Sequence, residues 1–325
     1  MMQKTLLKKQ KNVCGGAHNM MKRVIISGVS GFIGNAVARR LSASGVEVIG
    51  VTRSDINESK ELFRIQNLDI EIIQCDLNEI GQLPLKIEKR GFDVFYQFAW
   101  DGLTSETLND YKLQLDNVNW TVDTICAASE LQCKKVIGAG SVTQTELYTK
   151  KGRHYIADKH KYFRVAQLAS ETVGRVLAKE KGMEFIWPII VNVYGEGETN
   201  PRLINSLIRH MVMGIPFPLS SGEQLYDFMH IDDAAEAFCL IGEYGRPEAQ
   251  YIISSGEPRQ LRDYLVQLRD IVAPNYHLEF SSQKFSGYEI DKSWLDITEL
   301  KNDTGFIPKI SFEEGVRRIL DRIGE

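Results

Sequence analysis

Val24-Ile25-Ile26-Ser27-Gly28-Val29-Ser30-Gly31-Phe32-Ile33-Gly34 places a short apolar run directly ahead of three glycines spaced three apart. A helix-periodic segment over 35–43 follows at once. The order reads as a buried strand, a tight turn and a helix N-terminus. Glycine at 28 admits backbone angles closed to other residues. At 31 it lets the main chain approach a phosphate, and at 34 it allows close packing of helix on strand. The first N–H groups of that helix and the positive end of its dipole favour an anion at the same place. Together these features predict a dinucleotide site, with a plain glycine-rich turn as the alternative.

Outward from the turn, apolar runs over 46–51, 70–74, 93–98, 135–138 and 185–190 predict further strands. Long helical segments lie over 107–131 and ahead of residue 185. Strands alternating with long helices imply right-handed βαβ crossovers and a parallel sheet covered on both faces. The expected fold is α/β, a Rossmann-like doubly wound parallel sheet with a smaller C-terminal substrate lobe. Beyond residue 192 the texture changes, with Pro, Gly and Ser clustered over 195–201 and 214–222. The expected division is a disordered extension over 1–20, a dinucleotide-binding domain over 21–191, and a mainly substrate-binding lobe over 192–325, interleaved with the first. The extension carries Lys4, Lys8, Lys9 and Lys11 but no apolar stretch of signal-peptide length.

Composition narrows the function classes. The 325 residues carry a formal net charge of −4, against a dedicated nucleic-acid binder with its basic stripe. No apolar run approaches membrane-spanning length. The five cysteines (Cys14, Cys75, Cys126, Cys133 and Cys239) include no Cys-x-x-Cys pair. Neither a disulfide framework nor a metal site is expected, and a cytoplasmic location is. Arg53 ends the second strand, where a carboxylate would serve the ribose hydroxyls of NAD. An arginine there can pair with a 2′-phosphate, which favours NADP, with NAD possible and a ligand-free surface arginine as the alternative.

Five segments then occur in order: Gly28-x-x-Gly31-x-x-Gly34, Asp76-Leu77, Asp116-Asn117-Val118-Asn119, Val191-Asn192-Val193-Tyr194-Gly195, and the run from Gly222 through Tyr226-Asp227-Phe228-Met229-His230 to Asp232-Asp233. Over residues 22–323 the chain resembles the extended short-chain dehydrogenase/reductase family, the NAD(P)-dependent nucleotide-sugar epimerases, dehydratases and 4-keto-reductases. The resemblance implies a seven-stranded sheet, hydride transfer between a sugar carbon and a nicotinamide, and a homodimer formed through the two long helices. It puts Phe32 and Ile33 over the pyrophosphate, Asp76 and Leu77 beside the adenine, and Phe98 and Ala99 along the cofactor. Asn192 would contact the diphosphate or sugar, and Arg202, Leu203 and the segment 216–218 the base. Tyr226 stands where many members have a phosphate-binding arginine, so diphosphate recognition would be altered; lobe packing is the competing reading of this stretch.

The catalytic positions depart from the family pattern. Ser141 matches the family Ser/Thr. The Tyr-x-x-x-Lys of the next helix, counted back from Leu168-Ala169-Ser170-Glu171, falls on Phe163 and Gln167. Phenylalanine moves no proton and glutamine carries no charge. A literal Tyr155-x-x-x-Lys159 lies eight residues upstream, roughly 12 Å along a helix. Tyr162 sits one residue off, about 100° around the helix. Three readings stay open: a degenerate site, Tyr155 with Lys159 acting instead, or Tyr162 or another acid. Val142-Thr143 stands where dehydratases carry an acidic pair, so reduction or epimerisation is the expected chemistry and a non-catalytic cofactor-binding relative the alternative. Asp232 and Asp233 are expected to cap a helix over 234–241, His230 to be a strand residue, and Trp100 and Trp187 to be core or pocket wall.

Overall fold

The computed structural model describes residues 21–53, 62–66, 68–148, 160–282 and 290–323. The extension over 1–20, Tyr155 and Lys159 lie outside the described residues. Six parallel strands form the main sheet: β1 (Arg23–Ser27), β2 (Glu47–Thr52), β3 (Glu71–Gln74), β4 (Val94–Gln97), β5 (Lys135–Ile137) and β6 (Glu184–Ile186), in the order β3-β2-β1-β4-β5-β6. The order reverses at β1, the topological switch point at which open α/β sheets bind ligands.

The helices are α1 (Phe32–Ala43), α2 (Tyr111–Glu130), α3 (Lys161–Glu180), α4 (Leu203–Met213), α5 (Ile231–Tyr244), α6 (Leu261–Val272) and α7 (Phe312–Ile323), with shorter turns between them. Because strand side chains alternate, one sheet face buries Ile25, Phe95 and Val136 with Trp120 and Ile125 of α2. The other face buries Val24, Ile26, Val94 and Ile137 with Val37 of α1 and Phe238 of α5. Apolar residues on both faces explain why these strands read as unbroken hydrophobic runs. A third core joins Tyr194, Leu207, Phe228, Tyr264, Leu268, Phe312 and Val316 in the C-terminal part of the chain. The chain beyond residue 192 feeds all three cores, since Met229, Phe238, Tyr251 and Ile253 pack on one sheet face and Ile252, Leu295 and Ile297 on the other.

Several local expectations are corrected. The helix expected from residue 107 starts at Tyr111, because the Asp110 carboxylate accepts from the N–H groups of Lys112 and Leu113 and caps it there. The strand expected over 185–190 is two short strands divided at Trp187-Pro188. Its second half, Ile189–Ile190, pairs with Gly140–Ser141 and with Ile252–Ile253, forming a separate three-stranded parallel sheet. The main sheet therefore has six strands among the described residues, against the seven that the resemblance implies, and Pro188 brings no N–H to the division. Helix α5 starts at Ile231, and its cap is His230, whose Nδ1 accepts from the Asp232 N–H. Asp233 instead accepts from the N–H groups of Lys309 and Ile310, and Asp232 pairs with Arg39 and Arg318.

Candidate active site at the carboxyl ends of the strands

The glycine turn has the geometry that its sequence requires. Gly28 has φ +72°, and a Cβ there would lie 2.7 Å from the Ala99 nitrogen. A Cβ on Gly34 would lie 2.3 Å from the Gly28 carbonyl oxygen. Gly31 is the N-cap of α1, extended at φ −73° and ψ 168°, with no side chain among the described residues capping the helix and no acidic residue in its first turn. The Gly31 N–H closes the turn onto Gly28 O at 2.9 Å. The first-turn N–H groups at Phe32, Ile33 and Gly34 are free of intrahelical bonds by geometry. A pyrophosphate fits this uncapped, acid-free terminus. Arg64 stands beside it, donating to the Ser30 carbonyl at 2.8 Å and to the Gly197 carbonyl at 2.6 Å, and so fastens the turn to the loop at Gly197. Arg64 carries no sequence signal, because it acts across 133 residues of chain.

The other cofactor-side residues take up positions around the turn. Asp76 caps the turn over Leu77–Gln82, accepting from Asn78 N–H at 3.0 Å, and Leu77 packs on the core. Phe98 turns its ring inward, edge-on to Phe238 at 4.9 Å, so its backbone rather than its ring borders Gly28. Arg53 is 63% exposed and pairs with Asp101, Nη1 to Oδ1 at 3.3 Å. Asp101 belongs to a loop that α2 holds firmly. The Asn117 amide accepts from Asp101 N–H at 2.9 Å and donates to Asp101 O at 3.0 Å. Gln114 donates to Gly102 O at 3.1 Å and accepts from the Trp100 indole N–H at 3.1 Å. Both amides are at least 98% buried.

Ser141 ends the short strand after β5, its Oγ 2.9 Å from Thr143 Oγ1. Behind it Gln144 is fully buried and joins four partners. Its Oε1 accepts from Ser141 N–H at 3.1 Å and from Trp187 Nε1 at 3.2 Å. Its Nε2 donates to Glu171 at 2.7 Å and to the Tyr148 hydroxyl at 3.3 Å. The Tyr148 hydroxyl also donates to Glu171 at 2.9 Å, and Arg175 pairs with the same carboxylate at 3.0 Å. Burial, together with the adjacent Glu171 charge, pushes the Tyr148 phenol up to about 12. Tyr148 therefore stays protonated at neutral pH and orients Glu171. Sequence reading missed Thr143, Gln144 and Tyr148, although all three follow Ser141 within one turn-rich segment.

Helix α3 presents Phe163, Gln167, Ser170, Glu171 and Gly174 on its buried face, spaced by three and four. Phe163 is 8% exposed and meets Trp100 edge-on at 5.8 Å. Gln167 is 3% exposed, and its Oε1 has no hydrogen-bond partner among the described residues. Trp100 thus forms the wall between Phe163 and the Asp101 loop. Tyr162 points elsewhere, 38% exposed and 5.9 Å from the Tyr111 ring on the outer side of α2.

Among the residues expected to meet a substrate, Asn192 donates to Asp227 O at 3.2 Å. Asp227 is fully buried and accepts from Ser255 and Glu257 N–H groups at 2.8 and 3.0 Å. Arg202 is the exposed N-cap residue of α4, with Leu203 beginning the helix. Tyr226 lies against Phe228, ring centroids 5.5 Å apart, and pairs in register with Arg259 of a neighbouring short strand. Burial raises the Tyr226 phenol above its usual range.

Comparison with known proteins gives the arrangement its context. Residues 24–254 match the NAD dependent epimerase/dehydratase family. CDP-abequose synthase of Salmonella typhimurium is 25% identical over 319 residues, covering 92% of this chain and 98% of its own. dTDP-glucose 4,6-dehydratase of Haemophilus influenzae is 22% identical over 331 residues, covering 92% and 96%. The crystal structure of UDP-glucuronic acid 4-epimerase from Bacillus cereus, in complex with UDP-glucuronic acid and NAD, superposes with a TM-score of 0.75 at 20% identity, over 93% of this chain and 99% of that one. NAD occupies that neighbour, and the relatives are nucleotide-sugar epimerases, dehydratases and reductases. A glycine turn at the switch point, Ser141 at an adjacent strand end and a sequence match across most of the chain lead to one assignment: this protein belongs to the NAD-dependent epimerase/dehydratase family.

Proposed function

We propose that the chain binds a nicotinamide dinucleotide along the glycine turn and a nucleotide sugar beneath the C-terminal lobe, and acts as a 4-keto-reductase or epimerase. The observation that carries this reading is that the α1 N-terminus follows β1 and Ser141 follows β5, both beyond the carboxyl ends of parallel strands that flank β4. The nicotinamide supplies or accepts the hydride. Ser141, oriented by Thr143 and Gln144, holds the reacting sugar oxygen. Asn192, Arg202, Leu203 and Tyr226 meet the nucleotide sugar, and Arg53 faces the adenosine ribose, where it favours NADP(H). Dehydration is disfavoured because Val142 and Thr143 offer no carboxylate. The proton comes from Tyr155 with Lys159.

A second reading, binding without turnover, is favoured by Phe163 and Gln167, which fill the buried face of α3 where a proton relay would act. One experiment separates the two. NADPH and NADH oxidation is followed with 4-keto-sugar nucleotides in the wild type, in Tyr155→Phe, and in Phe163→Tyr combined with Gln167→Lys. Turnover lost on Tyr155→Phe supports the first reading. No turnover in the wild type, with turnover created by the double replacement, supports the second.

The assembly in this reading is a homodimer in the cytoplasm. Its contact is the outer face of α2 and α3, where Tyr111, Leu115, Val165, Val173 and Val176 are each at least 42% exposed. Sedimentation of Leu115→Glu combined with Val176→Glu should show monomer; an unchanged sedimentation coefficient contradicts the contact.

A further inference from the structure

The Arg53–Asp101 pair spans the crevice in a way that bears on cofactor choice. Arg53 immediately follows β2 and Asp101 follows β4 by four residues, with β1 between those strands. The pair therefore crosses the end of β1, over the switch point. Asp101 is held there from below. The Asn117 amide clamps both its N–H and its carbonyl, Gln114 clamps the next carbonyl, and Asp101 Oδ1 also accepts from the Gly102 N–H at 2.8 Å. The Arg53 side chain is the more exposed partner, on a long stem.

We infer that Asp101 is an internal anion that competes with a 2′-phosphate for the Arg53 guanidinium, and so sets how strongly the protein prefers NADP(H) over NAD(H). The inference rests on the dinucleotide reading above. A guanidinium pairs with either a carboxylate or a phosphate, through the same fork of donors. A ligand carrying a 2′-phosphate draws on Arg53 and must take it from Asp101. A ligand with a free 2′-hydroxyl has no such need and leaves the pair in place. The fixed carboxylate also opposes a second anion nearby. Asp101 therefore penalises NADP(H) selectively, in opposition to the attraction that Arg53 supplies.

The test is a cofactor titration of the full chain with NADPH and with NADH, followed by nucleotide fluorescence, for the wild type, Asp101→Asn, Arg53→Ala and the double variant. Asparagine keeps an acceptor for the Gly102 N–H, so the loop is retained; circular dichroism and melting temperature check this. The expected result is that Asp101→Asn tightens NADPH by about three- to fivefold, the scale of an exposed ion pair, and leaves NADH within about twofold. The gain should vanish in the Arg53→Ala background and shrink at high salt. Equal tightening of both cofactors would overturn the inference by making Asp101 a general electrostatic barrier. Weakening of both would overturn it by making Asp101 a cofactor ligand. Failure of the wild type to bind either nucleotide would instead refute the dinucleotide reading.

Discussion

The two halves of the crevice are built from different materials. The cofactor half, around Gly28 to Gly34, is made almost wholly of backbone: a positive φ, two sites where a Cβ would collide, and uncapped N–H groups. The half proposed to be catalytic, around Ser141 and α3, is made of side chains whose identities can change while the packing survives. Phe163 fills its place against Trp100, and Gln167 fills its own, without disturbing the helix. A backbone site is protected by the cost of altering its shape. A side-chain site can lose its proton chemistry and still fold.

The sharpest way to break this contrast is to add one atom to the backbone half. Gly34→Ala sets a methyl carbon against Gly28 O and should cost about 3 kcal/mol, the upper end for atoms forced into packed structure, together with cofactor binding. Melting temperature and NADH titration check both losses; a variant that still binds contradicts the shape argument. The polar support of Ser141 should be nearly as sensitive. Gln144→Leu strands the Trp187 indole, the Ser141 N–H and part of the Glu171 carboxylate, and should cost about 2–3 kcal/mol in chemical denaturation.

Charge replacement sharpens the comparison on the cofactor side. Arg53→Asp should weaken NADPH by about tenfold or more, the scale of one charge-assisted hydrogen bond, with a much smaller loss for NADH. Equal losses would remove Arg53 from any role at the ribose. A remote control should have the smallest effect. The Asp93 carboxyl is held below its usual range: burial alone would raise it, but the Lys134 ammonium and the N–H groups of Lys22 and Arg23 outweigh that. A depressed native value contributes stability above the unfolded-state value, near 4, and that contribution fades as pH falls through the native value. Asp93→Asn should therefore cost about 1 kcal/mol at neutral pH and flatten the acid limb of the stability curve, with the crevice unaffected.

The same contrast explains what could be read in advance. The strand–turn–helix at β1 and the apolar runs of β2 to β5 were legible because their periodicity and glycine spacing are local. The ends of elements were less so. Asp110 capping α2, and Pro188 dividing the strand expected over 185–190, moved boundaries through hydrogen bonds made or lost at single residues. His230 rather than Asp232 or Asp233 caps α5, because both carboxylates are taken by partners from distant segments.

Residue order along the chain determined a parallel α/β sheet and a glycine turn ahead of a helix at its first strand, and it set Phe163 and Gln167 on one helix face, where the family resemblance expects a tyrosine and a lysine. These are properties of a few neighbouring residues and their periodicity. Folding established the rest: Asp101 facing Arg53 across β1, Arg64 tying the turn to the lobe, and Gln144 gathering Ser141, Trp187, Tyr148 and Glu171. Most of those contacts join residues far apart in sequence, and polar groups buried together must satisfy one another whatever their spacing along the chain.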